Sequence, residues 1–132
     1  MTGVTHEDVQ AWLDRYIEAW RANRAEPIGE LFTEDALYRY NPYADEAHTL
    51  RGRDAIVAAW LEEADDPAGW SASYQPYAVD GERAVATGWS RYLATADQPE
   101  RTYHNTFLLR FADDGRCAEF TEFFMEVPRT GA

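Results

Sequence analysis

The chain predicts an α+β fold in which a curved antiparallel sheet wraps around N-terminal helices to form a cone. Three observations carry this reading. Apolar residues recur at helical spacing through the first half, apolar and polar residues alternate through residues 70–127, and turn chemistry separates the alternating runs. Helices first and a meander second places the helices on one face of a sheet. The mouth of such a cone is a natural small-molecule pocket.

Thr5 is the expected N-cap of the first helix, because His6-Glu7-Asp8 sets acids against the helix dipole. Val9, Trp12, Leu13, Tyr16, Ile17 and Trp20 then form one apolar stripe, and Asp14, Arg15, Glu18 and Arg21 fill the opposite face. Pro27 is placed to start a short second helix over 27–32, which Thr33-Glu34-Asp35 breaks. Residues 36–40 read as a short strand ended by Asn41-Pro42, and residues 43–51 as a polar loop. Gly52-Arg53-Asp54 leads into a third helix with Ile56, Val57, Trp60 and Leu61 on its apolar side. Asp65-Asp66-Pro67-Ala68-Gly69 ends that helix. Four strands follow, over 70–79, 84–94, 102–111 and 117–127. Asp80-Gly81, Asp97-Gln98-Pro99 and Asp113-Asp114-Gly115 connect them. No linker, repeat or low-complexity tract interrupts the chain, so residues 1–132 read as a single domain.

Composition excludes several classes of function. The formal net charge is −12, from 24 acids and 12 bases, which repels phosphate backbones and anionic membranes. No nucleic-acid or membrane partner is expected. Every base is arginine, so Schiff-base chemistry on lysine and the P-loop lysine are both excluded. One cysteine, Cys117, permits neither an internal disulfide nor a thiolate-rich zinc site. His6, His48 and His104 are too scattered for metal-ligand spacing, and no metal or cofactor is expected. No leader-like segment opens the chain and no apolar run spans a bilayer, so the expected compartment is the cytoplasm.

One carboxylate draws attention as chemistry. Phe120-Thr121-Glu122-Phe123-Phe124-Met125 reads as a buried strand carrying a single acid. Burial disfavours the charged form and raises a carboxyl pKa, which prepares a general acid or base. Two bland readings stand beside this one: Glu122 pointing outward, or Glu122 neutralised by an arginine. Period-two alternation places Tyr103, Asn105, Phe107, Leu109 and Phe111 on one face of their strand, with Asn105 a lone amide on the core side. Asn105 then donates to a ligand, to Glu122, or simply to a neighbouring backbone group. His104, Thr106, Leu108 and Arg110 take the outer face, where they suit a contact between two copies of the chain. Tyr38 and Tyr40 flank Arg39 and so share a face. The acidic runs, Asp65-Asp66 among them, read as solvated surface.

Several of these segments, taken in order, resemble the SnoaL-like family of the nuclear transport factor 2-like superfamily. They are the first helix, Glu34-Asp35-Ala36 entering a strand, Asn41-Pro42, Gly52-Arg53-Asp54-Ala55-Ile56 opening a helix, Asp113-Asp114-Gly115-Arg116, and a terminal Phe-x-Glu. The resemblance runs from about Val9 to Glu126 and implies the cone-shaped fold. Family activities include polyketide cyclisation, ketosteroid isomerisation, limonene epoxide hydrolysis and dehydration, beside members with no catalytic role. The position of the ketosteroid isomerase base falls on Tyr40, a poor base at neutral pH. The epoxide hydrolase pattern matches Phe120 and Glu122, and its first-strand pair matches Tyr38 and Tyr40. Where that pattern needs an acid on the third sheet strand, this chain has Trp89, Ser90 and Arg91. The cyclases carry an aspartate acid/base on the last strand, and Glu122 is similar in placement.

The resemblance and the residues together imply a cofactor-independent acid/base enzyme acting on a hydrophobic cyclic molecule. The alternative is a non-catalytic ligand-binding or dimerisation module of the same fold. Glu122, Asn105 and Tyr40 are the candidate catalytic residues, with Arg91 a candidate partner for Glu122. Tyr16, Trp20, Tyr38, Trp60, Trp89, Arg91 and Phe120 are the candidate substrate contacts, with Trp12 in the same wall. A homodimer through the outer sheet face is the expected assembly.

Overall fold

The first helix begins with two reciprocal hydrogen bonds. Thr5 Oγ1 accepts the Asp8 backbone amide, and Asp8 Oδ2 accepts the Thr5 amide, which satisfies two donors that a helix start leaves orphaned. The computed structural model describes residues 3–128. From that cap α1 runs over His6–Ala22, and Asn23 closes it in the left-handed conformation at φ 52°. The short α2, Ala25–Glu30, starts two residues before Pro27, which sits in its first turn where no intrahelical donor is lost. Then come β1 (Phe32–Arg39), a single turn of tight helix at Glu46–His48, β2 (Leu50–Arg51) and α3 (Arg53–Glu62). The long strands are β3 (Trp70–Asp80), β4 (Arg83–Tyr92), β5 (Arg101–Phe111) and β6 (Cys117–Glu126).

The strands form one six-stranded sheet in the order β2-β1-β6-β5-β4-β3. The last four make the expected antiparallel meander. The sheet is nevertheless mixed, because β1 lies parallel to β6, with Tyr38 beside Phe120. Helices between β1 and the meander allow that crossover, as a parallel pair requires. Thr33-Glu34-Asp35, expected to precede a strand, lie inside β1 as a bulge. Phe32 pairs with Cys117 and Leu37 with Glu119, so extra residues loop out between them. The expected loop over 43–51 holds β2, which pairs Tyr38 with Leu50. No helix among the described residues is long and apolar enough to cross a membrane.

The core lies between the helices and the concave face of the sheet. Val9, Trp12, Leu13, Tyr16 and Ala19, one stripe of α1, bury against Phe107, Leu109, Phe111 and Phe120. Trp12 sits edge-on to Phe32 and Phe111, and its indole N–H donates to the Leu31 carbonyl at 3.0 Å. Burial stops partway along β6. Phe123, Phe124 and Met125 are exposed, Met125 by 76 %, because the strand runs past the end of the helical layer. The aromatic run is therefore half core and half surface, and Glu122 stands at the boundary.

Gly88 sets the geometry beside that boundary. It lies on β4 between Tyr74 of β3 and Asn105 of β5. A Cβ built there would stand 2.0 Å from the Ser73 carbonyl oxygen and 2.5 Å from the Tyr74 ring. Only glycine lets Tyr74 lie across the sheet to meet Phe107 at 4.8 Å. Gly88→Ala is expected to destabilise the fold by about 2–4 kcal/mol in urea titrations, since backbone must move to admit one methyl. Gly69→Ala, with open space around it, serves as the comparison and is expected to shift stability by less than about 0.5 kcal/mol.

Candidate active site

Strand parity delivers Glu122, Asn105 and Ser90 to the same concave surface. Asn105 pairs with Gly88 on one side and Phe124 on the other, while Phe107 pairs with Glu122 and Tyr103 with Ser90. Ser90 Oγ donates to Asn105 Oδ1 at 2.9 Å. That bond fixes the amide so that its Nδ2 donates to Glu122 Oε2 at 2.8 Å. Ser90 and Asn105 are the two buried polar residues among the described residues, and each satisfies the other.

Among the described residues no arginine pairs with Glu122. Burial pushes its carboxyl up to about 7, and the Asn105 hydrogen bond acts weakly the other way. A carboxyl near 7 exchanges its proton readily at neutral pH. Arg91, a candidate partner, lies on the opposite face and pairs with Glu100. Trp89, a candidate wall, is also on the outer face and 39 % exposed. One residue of parity explains both corrections, because Ser90 between them takes the inward position.

The carboxyl opens into a cavity of about 260 Å³ lined by Tyr16, Trp20, Asn23, Tyr38, Tyr40, Trp60, Glu63, Asp65, Tyr74, Ser90, Tyr92 and Glu122. Of the candidate contacts, Tyr16, Trp20, Tyr38 and Trp60 line this cavity, as does Tyr40. Phe120 does not line it. Its ring is wholly buried beneath the wall, stacked on Tyr38 at 4.4 Å and on Tyr16 at 5.7 Å. Trp12 lies deeper still, in the core. The Tyr16 and Tyr38 hydroxyls are 3.3 Å apart, so one donates to the other and the acceptor keeps a proton to offer a ligand. Burial raises both phenols well above their ordinary range, and the nearby Glu122 charge adds to this, so both remain neutral donors.

Farther out, Tyr40 donates to Glu63 Oε2 at 3.2 Å, and burial followed by the Glu63 charge raises its phenol. That bond makes Tyr40 a wall and a donor to Glu63, not a base. Trp20 Nε1 donates to Asp65 Oδ2 at 3.1 Å and Asn23 Nδ2 to the Asp65 carbonyl at 3.2 Å, which ties the segment after α3 to the end of α1. Tyr74 and Tyr92 complete the wall, their phenols raised chiefly by burial. The mouth widens past Arg101, Tyr103 and Phe124. Sequence reasoning missed Ser90, Tyr74, Tyr92, Asn23, Glu63 and Asp65. Ser90, Tyr74 and Tyr92 share the inward parity of Asn105 once the Asp80-Gly81 turn sets the register, so that signal was available. His104 is exposed on the outer face, as its parity requires. Among the described residues no group of three or more His, Cys, Asp or Glu side chains is placed to hold a metal.

Proton transfer at carbon suits this arrangement. A carboxylate at the cavity floor removes or returns a proton, and neutral phenols 3.3 Å apart hydrogen-bond an oxygen that gains charge as it does so.

A family model described as "SnoaL-like domain" matches residues 13–120. A comparison with curated proteins finds no match. Among solved structures, an NTF-2 like protein of unknown function from Burkholderia xenovorans LB400 superposes with a TM-score of 0.66 at 16 % identity, over 94 % of this chain and 88 % of that one. A "putative ketosteroid isomerase" from Kribbella flavida DSM 17836 superposes with a TM-score of 0.66 at 17 % identity, over 96 % of this chain and 84 % of that one. These likenesses establish an NTF2-like fold.

The raised carboxyl has a stability consequence of definite sign. Unfolded, Glu122 loses its proton near 4.5; folded, it keeps it to about 7. Between those values the unfolded state binds fewer protons, so Glu122 costs stability as pH rises through that window, about 3 kcal/mol by pH 8. Glu122→Gln is expected to match the parent near pH 4 and to exceed its stability at pH 8, as urea midpoints across pH will read. Ser90→Ala, which frees the Asn105 amide, is expected to raise the Glu122 pKa further; carboxyl carbon shifts on NMR titration check it.

Proposed function

The chain belongs to the SnoaL-like domain family, and from that premise we propose that it is a cofactor-independent acid/base enzyme. Its reaction is of the cyclase, isomerase, dehydratase or hydrolase type, on a small cyclic molecule with substantial hydrophobic surface. The observation that carries this reading is the Glu122 carboxyl, buried in an open aromatic cavity and held by Asn105 with no cation beside it among the described residues. In isomerisation or ring closure Glu122 takes a proton from carbon and returns it to the rearranged skeleton. In dehydration it passes that proton to the departing hydroxyl, which leaves as water. In hydrolysis it takes the proton of an attacking water and gives it to the leaving oxygen. Tyr16 and Tyr38 stabilise the oxygen that carries charge meanwhile, and Ser90 and Asn105 hold the carboxylate in place. The distant likeness to a protein described as a "putative ketosteroid isomerase" agrees with proton-transfer chemistry on a ring system. A module packed shut by its own aromatics would have left no cavity over the acid.

Kemp elimination of 5-nitrobenzisoxazole tests the base without a known substrate, because that probe reports proton abstraction by a desolvated carboxylate. The rate constant is expected to rise with pH through about 7 and level off above, since only ionised Glu122 accepts the proton. Glu122→Gln is expected to lower it by at least about tenfold while keeping the fold. A rate unchanged by that substitution would sink the acid/base reading.

We further propose that two copies of the chain join through the outer sheet face. Cross-strand register collects Trp89, His104 and Met125 in one row and Thr106 beside Phe123 in the next, with Leu108 adjoining. Trp89, Leu108, Phe123 and Met125 are each at least 38 % exposed, an apolar patch that water alone does not explain. Light scattering on the eluting protein is expected to give the mass of two chains, and Leu108→Glu the mass of one.

A further inference from the structure

The cavity is acidic as well as aromatic, and the two properties have a common reading. Seven of its lining residues are tyrosine or tryptophan and three are carboxylic acids; none is a base, and the mouth beyond adds one, Arg101. Acids at a surface would by themselves be solvated decoration. Here they line one open cavity to different extents, Glu122 mostly buried, Asp65 half-buried and Glu63 exposed. Glu122 lies at the floor, Glu63 and Asp65 at the mouth, and the phenols of Tyr40 and Tyr92 stand between. Tyr40 feels the charges of Glu63 and Glu122, and Tyr92 those of Asp65 and Glu122.

The mouth acids are also unclaimed by the protein's own cations. Glu63 accepts from Tyr40 through Oε2, and Asp65 from Trp20 through Oδ2, which leaves Oε1 and Oδ1 for another donor. Among the described residues neither has an arginine within ion-pair distance, although Asp45, Glu46, Glu100, Asp114 and Glu119 all do or pair with histidine. The rings at the mouth are suited to a cation. Arg101 already rests its guanidinium 4.8 Å over the Tyr92 ring at the outer edge. A ring face and a spare carboxylate oxygen together form a seat for an alkylammonium group, which a neutral or anionic ligand would leave unused.

We propose that the substrate of this site is an amine, a cyclic apolar skeleton bearing a protonated nitrogen that sits at the mouth among Glu63, Asp65, Trp20, Tyr40 and Tyr92. The proposal rests on the reading of the cavity as a small-molecule site and adds the ligand's charge. The skeleton lies inward along Trp60, Tyr38 and Tyr74, where its reacting carbon reaches Glu122. An acidic surface then acts at a distance as well, since a net charge of −12 draws cations toward the mouth and repels carboxylates.

Three naphthalene probes of one shape separate the possibilities: 1-naphthylmethylammonium, 1-naphthylmethanol and 1-naphthoate. Calorimetric titration of the full chain at neutral pH is expected to rank them in that order, with the ammonium about tenfold tighter than the alcohol. Glu63→Gln combined with Asp65→Asn keeps both acceptor oxygens for Tyr40 and Trp20 while removing the charges. That variant is expected to lose the preference for the ammonium over the alcohol. Alcohol binding equal to or tighter than ammonium binding in the parent overturns the proposal, and so does an ammonium preference that survives in the variant. Naphthoate as the tightest ligand overturns it too. Kemp elimination reports on Glu122 with a neutral probe, so elimination without ammonium preference removes only the amine, and ammonium preference without elimination removes only the acid/base chemistry.

Discussion

Phe120 is the contact on which both fold and cavity depend. Its side chain is wholly buried, parallel to Tyr38 of the neighbouring strand and to Tyr16 of α1. Trp12 and Phe107 close on it from the remaining sides. The helix α1 and the neighbouring strands β1 and β6 are thus joined through one ring, with stacking adding to the area each ring removes from water. The same ring presses the Tyr16 and Tyr38 hydroxyls to within hydrogen-bond reach above it. Two residues along the strand, on the same face, comes Glu122. The pleat therefore places the carboxyl directly beyond the last packed layer, where the core ends and the cavity begins.

Charge is sorted by the same alternation. Arg39 and Arg110 both bind Glu119 on the outer face, holding that carboxyl below its ordinary range, and Arg91 binds Glu100 there. Glu119 and Glu122 are three residues apart on one strand and so lie on opposite faces. One is neutralised by two guanidinium groups and is structural. The other has an amide for company and titrates near neutrality. Two glutamates of equal intrinsic acidity acquire different chemistry from strand parity alone.

Where the sequence was legible, the reason was periodicity. The stripe of α1, the four-strand meander and the meeting of Asn105 with Glu122 all follow from counting by 3.6 or by two. Arg91 failed because it was chosen for its charge against the parity that its neighbour Ser90 obeys. The bulge of Thr33-Glu34-Asp35 was illegible for a different reason. Three polar residues in a row look like a break, and only the parallel pairing with β6 makes them strand. Glu63 and Asp65 were the deepest omission. Nothing local distinguishes them from the solvated acids around them. They become part of a site because the segment after α3 folds back on Trp20 and Asn23, a contact between residues more than forty positions apart.

That fold-back divides the cavity into two parts of different origin. The floor is sheet: Ser90, Asn105 and Glu122 on three adjacent strands, fixed by register and by a glycine that no other residue can replace. The mouth is helix and connection: Trp20 and Asn23 at one helix end, Glu63 and Asp65 beyond another, held by three hydrogen bonds, two of them half-buried and one exposed. Ordered strands position a proton-transfer group to within tenths of an ångström, which chemistry demands. Connecting segments tolerate substitution, which recognition exploits. A fold built this way can keep one acid at its floor and change what it accepts by changing residues at its rim. In this chain the rim carries two carboxylates against one arginine, Arg101, while the floor has no cation among the described residues, and the proposed preference for a positively charged ligand follows from that balance.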